Sequence, residues 1–131
     1  MPINYFLYIS RLAPDMDSTC VGAIVKQARI LNANAGVTGV LGFDGERFVQ
    51  YAEGPPDAIG ALITALASDK RHVDFDLRSQ GHGIAERKFS DWQMGYADFE
   101  EFPFDISCLE ALHDQAAIQF FLDNSRSMDF A

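Results

Sequence analysis

The chain has 131 residues, 48% of them apolar and 22% charged, which suits one globular domain with its own core and excludes a disordered or repeat-built chain. A formal net charge of -9 excludes the basic face that phosphate neutralisation requires, so neither nucleic acid nor an anionic membrane surface is an expected partner. The two cysteines, Cys20 and Cys108, show no metal-ligand spacing, the N-terminus lacks signal-peptide features and no apolar run reaches membrane length. The expectation is a cytoplasmic protein with free thiols and no metal.

Residues 3–11 (INYFLYISR) are rich in aromatic and β-branched types and read as a strand. Asp17 or Ser18 can cap the helix that follows, in which Val21, Ile24, Val25, Ala28 and Leu31 recur at helical spacing before Gly36 stops it. Residues 37–43 and 46–53 read as two strands joined at Asp44-Gly45, a pair suited to a hairpin turn in which both central residues take positive φ. Pro55 and Pro56 open a second helix with its stripe on Ile59, Leu62, Ile63 and Leu66. Residues 72–80 and 87–97 read as two further strands, broken around Gly81 and Gly83. Residues 105–123 read as one last helix, with Ile106, Leu109, Leu112, Ala116 and Phe120 on one face.

The order βαββαββα predicts an α+β fold: a mixed sheet with both internal helices on one face, provided the two βα connections join parallel strands. The first strand is apolar on both sides. Tyr5, Leu7 and Ile9 point one way, and Phe6, Tyr8 and Ser10 the other, so the final helix or a partner subunit must cover the second face. Residues 1–98 are expected to form the main domain, with 99–131 a helical extension belonging to the same folding unit.

Period two also aligns Phe48, Gln50 and Ala52. A phenol, a hydroxyl and an amide therefore fall in an apolar layer, where leaving one unpaired costs about 1–3 kcal/mol. Each internal helix ends its apolar stripe in a polar group, Asn32 in the first and Asp69 after the second. Polar groups converging from four elements fit a flat, hydrogen-bonding ligand. They equally fit a self-satisfied network in which Tyr8 and Gln50 pair with each other, Asn32 closes a helix and Asp69 is a surface charge.

These same residues carry a family resemblance. Leu7-Tyr8-Ile9-Ser10, Asn32 to Gly39 (NANAGVTG), Phe48-Val49-Gln50, Glu53-Gly54, Asp69-Lys70-Arg71-His72 and Ile84-Ala85-Glu86-Arg87 on through Phe89, Trp92 and Met94 follow one another as in the BLUF domain, the flavin-based blue-light sensor of bacteria. The likeness covers residues 3–97. No single motif is specific; the ordered set is.

The resemblance implies a ferredoxin-like βαββαββ sheet holding the isoalloxazine ring of a flavin between the two internal helices, with FAD favoured over FMN or riboflavin. Asn32 would bond the pyrimidine edge, and Gln50 would lie between the ring and Tyr8. Ile24 and Leu66 would pack on the ring faces. Asp69, Arg71 and His72 match positions near the ring or its tail, although His72 also suits a helix end. Ser10 would support from behind. Light would drive an electron and a proton between Tyr8 and the ring by way of Gln50, leaving a rearranged amide. The change would leave through the strand bearing Trp92 and Met94, whose shared parity would turn both toward the ring.

Two departures from the resemblance bear on affinity. Leu31 precedes Asn32 where many members have a second Asn, and Ala65 stands where some have a basic or polar side chain. The expected protein is a receptor rather than an enzyme, and it signals to a separate downstream protein or through self-association. The competing readings are a small acylphosphatase-type enzyme and a flavin-less interaction module of the same shape.

Overall fold

The computed structural model describes residues 2–101 and 103–131. Five strands form one mixed sheet in the order β4-β1-β3-β2-β5. In chain order the elements are β1 (Ile3–Leu12), α1 (Cys20–Ala35), β2 (Thr38–Phe43), β3 (Arg47–Gly54), α2 (Pro56–Ala67), β4 (His72–Ile84), β5 (Gly95–Asp98), α3 (Ile106–Glu110) and α4 (Asp114–Ser125). β1 runs antiparallel to both β3 and β4, and β3 antiparallel to β2, so each βα connection joins parallel strands with one strand between them. β5 adds a parallel edge on β2. This is the expected ferredoxin-like α+β fold.

The predicted strand parity sets the two faces. Phe6, Tyr8, Phe48 and Ala52 face α1 and α2, where Val21, Val25 and Ile59 close the layer. Tyr5, Leu7, Ile9, Val49 and Tyr51 face the other way and are covered by Ile106, Leu109, Ala117, Ile118 and Phe121 of α3 and α4. Both faces are covered, as a central strand with apolar residues on both sides demands.

Three local expectations are corrected. The N-cap of α1 is Thr19, and the Asp17 carboxylate instead accepts from the Thr19 amide at 2.9 Å, in the turn before the helix. At the β2–β3 hairpin Gly45 alone takes positive φ, 97°, while Asp44 keeps negative φ and accepts from the amides of Glu46 and Arg47. The Asp44 side chain closes the turn that its backbone was expected to enter. β4 continues through Gly81 to Ile84, and the expected break is a register shift against β1 between the Tyr5–Gly81 and Ile3–Ile84 pairs, where Gly83 takes φ 65°. The Tyr5 ring lies where a side chain at Gly81 would sit, 2.5 Å from its Cβ position. An aromatic ring over a glycine keeps the strand packed.

Residues 87–94 are not a strand, and the last helix is two. The Lys88 and Phe89 amides are taken by the Glu53 carboxylate at 2.9 and 2.7 Å, and the carbonyls of residues 92–94 by Gly39, Asn32 and Arg29. Backbone groups committed to side chains cannot also join a ladder. Around residues 111–113 the carbonyls of Glu110 and Leu112 accept from buried Arg78, which separates α3 from α4. The break resets the helical phase. Ala117, Ile118 and Phe121 are buried in place of the predicted Ala116 and Phe120; Ala116 is exposed. No helix among the described residues is long and apolar enough to cross a membrane.

Candidate functional site

Between α1 and α2, above β1, β2 and β3, lies a cleft of about 320 Å³, within the size range of small-molecule sites. Its walls are apolar: Ile24, Ala28 and Leu31 from α1, and Leu62, Ala65 and Leu66 from α2. Leu41 and Phe48 form part of the floor, and Met94 closes one end. Gln27 and six residues singled out in the sequence, Tyr8, Asn32, Gln50, Asp69, Arg71 and His72, supply the polar groups. Among the residues singled out in the sequence, these six join Ile24, Leu66 and Met94 around one space. Ser10 lies behind it and Trp92 outside it.

Tyr8 and Gln50 are direct cross-strand partners in the β1–β3 register. The Tyr8 hydroxyl donates to Gln50 Oε1 at 2.6 Å. Burial, reinforced by the negative charge of Asp69, pushes the Tyr8 phenol well above its ordinary pKa, so it holds its proton and donates. With Oε1 committed to Tyr8, the amide nitrogen of Gln50 meets no protein acceptor among the described residues. Gln50 is only 3% exposed, and its unpaired donor opens onto the cleft.

Asn32, also buried, donates from Nδ2 to the Gln93 carbonyl at 2.6 Å. One amide hydrogen and Oδ1 remain for a guest. At one rim, Arg71 grips Asp69 through its Nε at 3.1 Å, its Nη2 at 2.8 Å and its backbone amide at 2.9 Å. The Arg71 bonds hold the Asp69 carboxyl below the usual carboxylate range, and the same bonds raise Arg71. The rim is therefore a fixed zwitterion beside an apolar slot.

His72 is buried at the end of α2. Its Nε2 lies 2.5 Å from the Leu66 carbonyl and its Nδ1 2.7 Å from Ser10 Oγ. A carbonyl can only accept, so Nε2 donates to it, and Nδ1 shares the second hydrogen bond with the Ser10 hydroxyl. His72 and Ser10 thereby tie the last turn of α2 to β1 and hold Leu66 over the cleft. The Tyr8 ring packs against His72 and Phe75, with centroids 5.8 and 4.8 Å away.

The expectation that Trp92 and Met94 share a face fails with the strand that would have imposed it. Met94 is 1% exposed and lines the cleft. Trp92 instead packs on Phe130, centroids 6.2 Å apart. Four residues not expected at the site also line the cleft: Gln27, Leu41, Phe48 and Leu62. Helical spacing from Ile24 marks Gln27, one turn before Leu66 marks Leu62, and parity with Gln50 marks Phe48. Leu41 becomes visible only once the β2–β3 register opposes it to Gln50.

Comparison with known proteins places this geometry. The sequence model of the family described as "BLUF: Sensors of blue-light using FAD" matches residues 3–95. The photoactivated adenylate cyclase subunit beta of Euglena longa is 37% identical over 67 residues, 51% of this chain and 8% of that protein. The blue light- and temperature-regulated antirepressor BluF of Escherichia coli K12 is 26% identical over 133 residues, 98% of this chain and 32% of that protein. The chain thus spans at most about a third of these curated relatives. The solved structure of BlsA in its photo-activated state superposes with a TM-score of 0.84 at 22% identity, covering 100% of this chain and 99% of that one, a likeness of fold.

Proposed function

The chain belongs to the BLUF family of blue-light sensors, and from that premise we propose that the cleft holds FAD and that Tyr8 and Gln50 are its light-responsive pair. The observation that carries this reading is the open amide of Gln50. It is buried and bonded on one side only, to a phenol that keeps its proton.

The residues present fit a flavin. Ile24 and Leu66 stand on opposite walls, and Asn32 and Gln50 offer donor and acceptor groups at the cleft's polar edge. Asp69 and Arg71 sit at the rim where a tail would leave, and His72 with Ser10 steadies the wall from behind. Leu31 and Ala65 add no polar contact there, which makes the grip one-sided. A bound flavin supplies blue absorption and, once excited, an acceptor for one electron.

Tyr8 is the oxidisable group in the cleft, and its proton lies one 2.6 Å hydrogen bond from Gln50 Oε1. Gln50 carries donor and acceptor on one side-chain amide. Reorienting it, or converting it to the imidic form, exchanges the acceptor facing Tyr8 for a donor. Exchanging one or two buried hydrogen bonds is worth about 1–3 kcal/mol, the size of an ordinary allosteric coupling. Met94, closing the cleft from the 92–94 segment, is the first neighbour to respond.

In this reading the protein is a receptor that works in the cytoplasm, and it passes its signal to a separate protein or through self-association. Residues 1–98 form the sensor, and 99–131 fold as part of it. The test is the purified protein in darkness and under blue light. We expect a yellow protein that releases FAD on denaturation and shows a reversible red shift. A colourless protein that takes up no added flavin would refute the proposal.

A further inference from the structure

Three consecutive carbonyls, those of Trp92, Gln93 and Met94, are held by three different groups. The Gly39 amide donates to the first at 2.9 Å, Asn32 Nδ2 to the second at 2.6 Å and Arg29 Nε to the third at 2.9 Å. Arg29 and Asn32 are three residues apart on α1, hence on one face, and together they grip the two peptide groups on either side of Met94. Arg29 has a second engagement. Its Nη2 donates to the carbonyl of Ala131.

That carbonyl belongs to a strap. After α4 the chain turns back along the outer edge of β5, where Tyr96 and Ala131 exchange backbone hydrogen bonds of 3.1 and 2.9 Å. Phe130 packs edge-on against Trp92 and Phe89, with centroids 6.2 and 5.9 Å away. A side chain at Gly95 would meet Phe130 and Trp92 at 3.1 and 3.2 Å, so strap and segment touch closely. β5 is an edge strand of four residues. The strap is what covers its open side at Tyr96, as exposed sheet edges generally need.

We propose that Arg29 is a positioning residue of the light response, joining the Met94 carbonyl and the strap at Ala131 through one guanidinium. The inference rests on the reading of the cleft as a flavin site. Arg29 itself does not line the cleft. The planar fork of an arginine serves two carbonyls at once, which a point charge does not. When the peptide around Met94 shifts, Nε and Nη2 can no longer satisfy both acceptors, and the strap loosens from β5. The sequence contains no signature of this link, because the bonded atoms lie on backbone 65 and 102 positions from Arg29.

The test uses the full chain with its flavin, as wild type, Arg29→Gln and Arg29→Lys, in darkness and under blue light. In the wild type, amide protection at Tyr96 and Ala131 should fall under light by about threefold or more. Arg29→Gln should keep its colour and the full red shift. Its protection at both amides in darkness should already equal the wild type's value in light. Its return to the dark spectrum should be slower by about three- to tenfold, since a contact that favours the dark arrangement is gone. Arg29→Lys, bonding one carbonyl at a time, should fall between the two. A purely structural role would lower protection equally in darkness and light and leave the recovery rate alone. A yellow, shifting wild type with equal protection in darkness and light overturns the inference, as does an Arg29→Gln protein with normal recovery. A colourless wild type would defeat the flavin reading, and this inference with it.

Discussion

Gln50 and Glu53 stand three residues apart on β3, on opposite faces of the sheet, and both are buried: Gln50 is 3% exposed and Glu53 0%. Glu53 accepts from the Tyr51 hydroxyl at 2.8 Å, the Lys88 and Phe89 amides and Thr38 Oγ1. Arg87 closes the same corner by donating to Thr38 Oγ1, the Glu53 carbonyl and the Gly36 carbonyl. Gln50 has Tyr8 and an open cleft. Burial of a polar group therefore does not by itself mark a binding site. A site is marked where unfilled hydrogen-bonding capacity opens onto a cleft; the buried Arg78 Nε also lacks a partner but does not line this one. Where protein fills every valence, the group is an anchor.

The largest expected effect lies on the anchor side. Glu53→Ala would orphan two amides and two hydroxyls around a void, so urea denaturation at neutral pH should show a loss of about 3 kcal/mol or more. Gln50→Leu should cost less in the same assay, about 1–2 kcal/mol, because it leaves one hydroxyl, that of Tyr8, without its partner beside a cleft. It should retain flavin and lose the reversible red shift. A comparable stability loss for both substitutions would erase the distinction, and a normal shift in Gln50→Leu would refute the mechanism.

Tyr8→Phe tests the pair from its other side: flavin should stay bound and the normal photocycle should disappear. The same variant sharpens a pH prediction. Burial raises the phenols of Tyr8 and Tyr51 above their ordinary value, with Asp69 adding to the first and Glu53 to the second. A raised folded pKa means that the folded protein keeps protons the unfolded chain releases. The stability from these groups is thus intact below about pH 10 and falls as pH rises beyond it, by up to about 1.4 kcal/mol per pH unit for each phenol. Denaturation between pH 9 and 12 should show this decline in the wild type and a shallower one in Tyr8→Phe. Equal slopes would mean that Tyr8 is not the protected phenol described.

The smallest effect concerns the cleft wall. Leu31 is 57% exposed at the mouth and offers no polar contact. Leu31→Asn should tighten flavin binding by about three- to tenfold, the worth of one accessible hydrogen bond, with little change in folding stability. Titration of the flavin-depleted protein would measure it, and unchanged or weaker affinity would place the departure at Leu31 outside the contact surface.

Regular elements were legible in the sequence because period two needs no long-range information. The alternation in residues 3–11 and 46–53 determined which side of the sheet Tyr8 and Gln50 occupy, and helical spacing placed Asn32 and Ile24 on the matching face of α1. The ordered family-like residues added what a pattern alone left open, whether that polar layer serves a ligand or itself. Residues 87–94 and 105–123 depart from their local periodicity for a common reason. Their apolar residues have strand-like and helix-like spacing, but their backbone groups are claimed by Glu53, Asn32, Arg29 and Arg78 from distant positions. Local periodicity reports which faces can be buried. Which backbone hydrogen bonds form when a remote charged side chain competes for them is decided only when tertiary packing brings that side chain within about 3 Å.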